Sequence, residues 1–76
     1  MRIEARYDGV DKNGHHILHD VTGDITRDHA FLNGSHSNFP DNIKPGSRVR
    51  FYASLHHRGP KPARLSDVRE CQVLSE

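Results

Sequence analysis

The chain reads as an all-β protein, a small barrel of five strands, and three observations lead there. Apolar and polar residues alternate with a period of two in five separate stretches. Nowhere do apolar residues recur at helical spacing over several turns. Segments bearing Gly, Pro, Asn and Asp punctuate the alternating runs where the chain must reverse.

The first strand is Arg2–Tyr7, with Ile3, Ala5 and Tyr7 on one face and Arg2, Glu4 and Arg6 on the other. Asp11-Lys12-Asn13-Gly14 follows, and Asn-Gly is a strong hairpin signal because both residues tolerate positive φ. The second strand, His15–Val21, sets Ile17, His19 and Val21 against His16, Leu18 and Asp20. Thr22-Gly23-Asp24 then turns into a third strand, Thr26–Asn33. Both of its faces carry bulk, His29 and Phe31 on one, Ala30 and Leu32 on the other. One face is therefore expected to meet a ligand or the barrel end.

Gly34–Gly46 is a polar connection too broken for a long helix, in which Phe39 and Ile43 are expected to plug the barrel end. Lys44-Pro45-Gly46 is a tight turn, Pro suiting its first corner and Gly its second. The fourth strand, Arg48–His57, alternates most cleanly. Val49, Phe51, Ala53 and Leu55 point inward; Arg48, Arg50, Tyr52, Ser54 and His56 point to water. Arg58-Gly59-Pro60-Lys61-Pro62 forms a stiff basic loop. The fifth strand spans Arg64–Leu74. Its Leu65 and Val68 share a face only if a bulge falls near Ser66–Asp67, whereas Cys71 and Val73 share one unaided.

Seventy-six residues allow one domain, 1–76, and no second core. A chain of this size buries only about 60 to 65% of the surface it exposes when unfolded. With 33% hydrophobic residues and a mean hydropathy of −0.82, its stability margin is narrow. The lone Cys71 excludes an internal disulfide framework and any zinc site built on cysteine pairs. No apolar run suits a signal peptide or a membrane span, so the expected setting is a reducing cytoplasm, bacterial or viral.

Net charge is +1, but its distribution is uneven. Residues 1–43 hold four basic residues against seven acidic, a net −3; residues 44–76 hold seven against three, a net +4. From Lys44 to Arg64 there are six basic residues and no acid.

Five strands, a hairpin after the first, and a longer connection between the third and fourth match the order of oligonucleotide/oligosaccharide-binding (OB) barrels. Lys44-Pro45-Gly46-Ser47-Arg48-Val49-Arg50-Phe51 resembles the turn that leads into the fourth OB strand. Asp28-His29-Ala30-Phe31 is similar to a segment of small uncharacterised OB-like proteins of bacteria and their mobile elements. The resemblance is one of layout and short motifs over most of the chain, and it departs in one place: the third-to-fourth connection lacks a helix. It implies a binding cleft made of the first hairpin loop, the face of strands two and three and the loop between strands four and five. Lys12, His29 and Phe31 join the cleft on that basis.

Single-stranded nucleic acid needs cations for its phosphates and flat side chains for its bases. The outward face of the fourth strand supplies Arg48, Arg50, Tyr52 and His56, and the loop beyond adds Arg58, Lys61 and Arg64. The same alternation also suits a plain solvated face that blunts edge pairing, and Phe31 also suits a core position. The long acid-free run tips the balance toward binding.

Seven histidines prompt a metal reading, but His15 and His19 share a strand face that His16 opposes, and no paired cysteines accompany them. No metal and no cofactor is expected. Ser35, His36, Ser37, Asp28 and His29 are loose neighbours without the nucleophile, base and orienting group that catalysis needs. Cys71 reads as a small core residue. The expected function is therefore non-enzymatic: binding of single-stranded DNA or RNA with low sequence specificity. A protein-interaction adaptor or inhibitor from a phage or mobile element is the alternative, with an acidic protein surface as partner. The near-neutral total charge and the acidic first half favour that alternative.

Overall fold

A computed structural model describes residues 1–32, 39–40, 42–56 and 63–75. It contains β1 (Arg2–Val10), β2 (His16–Gly23), β3 (Arg27–Leu32), β4 (Arg48–Leu55) and β5 (Ala63–Ser75), with no helix among the described residues. The strands close into a barrel in the order β1-β2-β3-β5-β4, and β4 pairs back onto β1. Every pairing is antiparallel except β3 with β5, a parallel contact of three residue pairs from Ala30–Ala63 to Leu32–Leu65. This closed five-stranded architecture is the all-β barrel predicted from the sequence, and it is compatible with an OB-like fold.

Strict alternation builds β1 and β4. Ile3, Ala5 and Tyr7 line the interior alongside Val49, Phe51 and Ala53 of the paired strand, all buried, while Arg48, Arg50 and Tyr52 point outward as expected. Beyond Tyr7 the first strand does not stop. Gly9, at φ 96°, absorbs one extra residue and lets pairing with β2 continue to Val10. The hairpin closes with the Asp11 N–H donating to the His15 carbonyl at 2.9 Å and the Gly14 N–H to Asp11 at 3.1 Å. Of the Asn-Gly pair only Gly14 takes a positive φ, 82°. The Asp11 carboxylate caps this turn by accepting the N–H groups of Asn13 and His15, at 2.8 and 2.9 Å.

The simple alternation expected for the second strand is interrupted. Asp20 adopts φ 52° and forms a bulge against β1, so Leu18 and Val21 both point inward and Val21 parts from Ile17 and His19. In β3, Ala30 and Leu32 fill the interior and leave His29 and Phe31 on the outside, half-buried. Of the connection, Phe39 and Ile43 do close the barrel end. Phe39 lies 5.1 Å from the Tyr7 ring and meets Phe51 edge-on at 5.8 Å. The buried His16 hydrogen-bonds the Tyr7 hydroxyl through Nδ1 at 2.8 Å. Gly46, at φ 95°, and the Ser47 N–H donating to Lys44 at 3.1 Å form the tight turn before β4.

β5 carries the expected bulge at Asp67, and a second at Glu70, both at φ 55°. The first brings Leu65 and Val68 to the same interior. Beyond the second, Gln72 pairs with the outward Arg50 and Val73 with the buried Val49, so Cys71 and Val73 fall on one side as expected, Cys71 half-buried against the core and Val73 45% exposed near the strand's end. Burial raises the Cys71 thiol above its ordinary pKa.

Candidate functional site

The closed ring has consequences for the predicted binding residues. β4 is separated from β3 by β5 and from β2 by β1, so the face of β4 and the face of β2 and β3 lie on different sides of the barrel. One continuous cleft was expected. Instead the residues divide into two groups.

The first group lies on the outside of β2 and β3. Cross-strand pairing sets Ile17 beside Phe31 and His19 beside His29, and parallel pairing sets Phe31 beside Arg64. The side chains share a face because Ala30, Leu32 and Leu18 have taken the inward positions. Their rings form an unbroken row: His15 to Phe31 at 6.4 Å, Phe31 to His29 at 5.9 Å, and His29 to His19 at 6.1 Å. At the hairpin end of the row a cleft of about 280 Å³ is lined by Asp11, Asn13, His15, Phe31 and Arg64. Lys12 stands exposed at the hairpin tip, and Arg64 is exposed at the start of β5. His56, just past β4, donates its backbone N–H to the Arg64 carbonyl at 2.8 Å and touches the Ser66 hydroxyl through Nε2.

The carboxylates near this row are held by their own neighbours. Asp8 hydrogen-bonds His19 and the Arg6 guanidinium (3.2 Å), and Arg6 reaches Asp20 at 3.0 Å. The His19 hydrogen bond, opposed by partial burial and helped by Arg6, holds the Asp8 carboxyl below its usual pKa. Asp11 is held below its usual value first by the His15 backbone N–H, and its second oxygen lies 3.6 Å from His15 Nδ1.

The second group is the outside of β4 with its neighbours. Arg2, Tyr52 and Arg69 are register partners across β1, β4 and β5; Glu4, Arg50 and Gln72 form the next row, and Arg6 pairs with Arg48 in the row after. The Arg50 guanidinium donates to Gln72 at 2.8 Å. A hollow of about 610 Å³ on this face is lined by Arg2, Arg50, Tyr52, Glu70, Cys71 and Gln72.

The structure thus brings His29, Phe31 and Arg64 together, with His56 bonded to Arg64 and Lys12 exposed on the first hairpin, and places Arg48, Arg50 and Tyr52 elsewhere. Arg58 and Lys61 lie outside the described residues, as do His57 and the serines near His36. His15 and His19 were missed as members of the ring row, and Ile17 as the outward neighbour of Phe31. Assigning Leu18 inward is the signal that turns them outward together. Arg2, Arg69 and Gln72 were missed because their company with Tyr52 is set by strand pairing and by the bulges of β5. Among the described residues no three of His, Cys, Asp and Glu gather as a metal-ion site. Compared with protein-family models, with curated proteins and with solved structures, the chain matches none.

Proposed function

We propose that this chain is an OB-like module that binds single-stranded DNA or RNA with low sequence specificity, in a reducing cytoplasm and without a catalytic step. The observation that carries the reading is the row of rings His15, Phe31, His29 and His19, with Arg64 beside Phe31 at an open cleft. Successive bases stack on such a row whatever their identity, each contributing about 1 to 3 kcal/mol. Arg64 and Lys12 flank the row and neutralise phosphates, and Arg58 and Lys61 follow β4 in the sequence. In this proposal the relatives are the small OB-like proteins of bacteria and mobile elements that its motifs resemble.

The test is fluorescence anisotropy of labelled oligothymidylate and oligouridylate at low and moderate salt. Binding is expected to weaken as salt rises, with a log–log slope of about −0.7 for each phosphate neutralised. No binding at low salt, or binding indifferent to salt, rejects the proposal.

A further inference from the structure

On the far side of the ring, three neighbouring strands bring arginines around one exposed tyrosine. Tyr52 is 42% exposed and stands between its register partners Arg2 and Arg69. Arg50 is the next outward residue along β4, oriented by its bond to Gln72, and Arg48 is the one after. Tyr52 and Glu70 line both the 610 Å³ hollow, shared with Arg2 and Arg50, and a second of about 330 Å³ bounded by Arg69. We infer that this outer face of β1, β4 and β5 is a second binding surface, one that receives an extended acidic segment of a partner protein.

Spacing and chemistry both favour a peptide. Outward residues two apart on β4 repeat about every 6.8 Å, the same repeat at which an extended peptide presents alternate side chains. A segment lying along β4 therefore offers successive carboxylates to Arg50 and Arg48, with Arg2 and Arg69 closing on either side of Tyr52. Guanidinium groups grip carboxylates through two parallel hydrogen bonds. All five cations of these rows are arginines, with no lysine among them, and a tyrosine sits beside them. Arginine and tyrosine enriched over lysine is the composition of protein–protein contact cores.

A phosphate track fits less well. Glu4 lies directly opposite Arg50, and Glu70 lines both hollows beside Tyr52, so a continuous polyanion meets like charge twice. A peptide answers the same two carboxylates with a backbone N–H or a basic side chain. Arg6, which completes the arginine cluster in sequence, is already engaged by Asp8 and Asp20. The inference does not rest on the nucleic-acid reading, since the two surfaces share no residue.

Titration of the ¹⁵N-labelled chain with a synthetic peptide of alternating glutamate and serine, followed by amide shifts, tests the inference; oligothymidylate is the second ligand. The peptide is expected to shift amides at Arg2, Arg50, Tyr52, Arg69 and Gln72. Arg48→Glu and Arg69→Glu should each weaken it by roughly tenfold or more, about 1.4 kcal/mol, while leaving the melting temperature in place because both side chains point outward and neither reversal sets a carboxylate opposite another. No peptide-induced shifts at low salt, shifts confined to β2 and β3, or indifference to both charge reversals would overturn it. So would oligothymidylate shifting this face more strongly than the peptide does, which would give the surface to nucleic acid.

Discussion

Leu65 and Val68 both point into the barrel although three positions separate them, because Asp67 between them turns through φ 55° and adds one residue to the strand. Glu70 repeats the device three residues later. Each bulge increases the local coil of β5. A thirteen-residue strand can then pair with β3 at its start and with β4 along the rest.

That conformation sets a prediction at Asp67. Aspartate tolerates the left-handed region, whereas a β-branched side chain there is a true outlier. Asp67→Val should destabilise the fold by about 1 to 2 kcal/mol, and Asp67→Gly should not. Urea denaturation of both variants decides the matter; equal midpoints would mean that the bulge is not held at this residue.

Phe51 and Phe31 should separate stability from binding. Phe51 is fully buried against Phe39, so Phe51→Ala is expected to cost about 3 to 5 kcal/mol, a large share of what so small a domain has. Phe31 is half-buried on the outside. Phe31→Ala should cost less stability than Phe51→Ala but should weaken oligonucleotide binding by about 1 to 3 kcal/mol. If the two variants melt alike, the assignment of inside and outside is wrong.

Acid should act through Asp8. Its folded pKa lies below the unfolded value, chiefly because His19 hydrogen-bonds the carboxylate. The ionised form therefore contributes stability that is fully present above the ordinary value of 3.8 and is lost as pH falls through the lower folded value. Melting temperatures should fall as pH drops below about 4, and less steeply in Asp8→Asn. Superimposable acid limbs for the two proteins would remove Asp8 from the account. The side chain is partly exposed, so solvent screening keeps the effect small.

Gly23 tests the junction of β1 and β2. It sits at φ 110°, and a Cβ there would fall 2.3 Å from the Arg2 carbonyl oxygen. Gly23→Ala should cost more than about 1 kcal/mol, seen as a drop in melting temperature of at least about 4 °C. Gly14→Ala provides the contrast, since nothing lies within 4 Å of its added methyl and only the backbone strain at φ 82° remains. A larger loss at Gly14 than at Gly23 would contradict the close approach.

How much of this was legible before any coordinates depends on where alternation is unbroken. β1 through Tyr7 and β4 contain no internal bulge, and each inward residue there was readable from a period of two. The Asp67 bulge was readable because Leu65 and Val68 conflict with that period. Asp20 raised no such conflict: Ile17, His19 and Val21 alternate acceptably on paper, and only packing chooses Leu18 over Ile17 for the interior. The outward direction of Arg50 and Tyr52 was equally legible, that of His29 and Phe31 only as one of two alternatives. Their separation was not, because which strands become neighbours is decided by long-range pairing and not by any local pattern.

Among the described residues the ring is completed by three rungs, Ala30 with Ala63, Phe31 with Arg64 and Leu32 with Leu65, between chain segments more than thirty residues apart. Such a clasp closes a long loop and gains few bonds in return. Were it to open, two unpaired strand edges would face water, the usual starting point for pairing with another molecule. A ligand gripped by Phe31 on one side and Arg64 on the other would fasten it shut, so occupancy and resistance to self-association belong to the same few atoms.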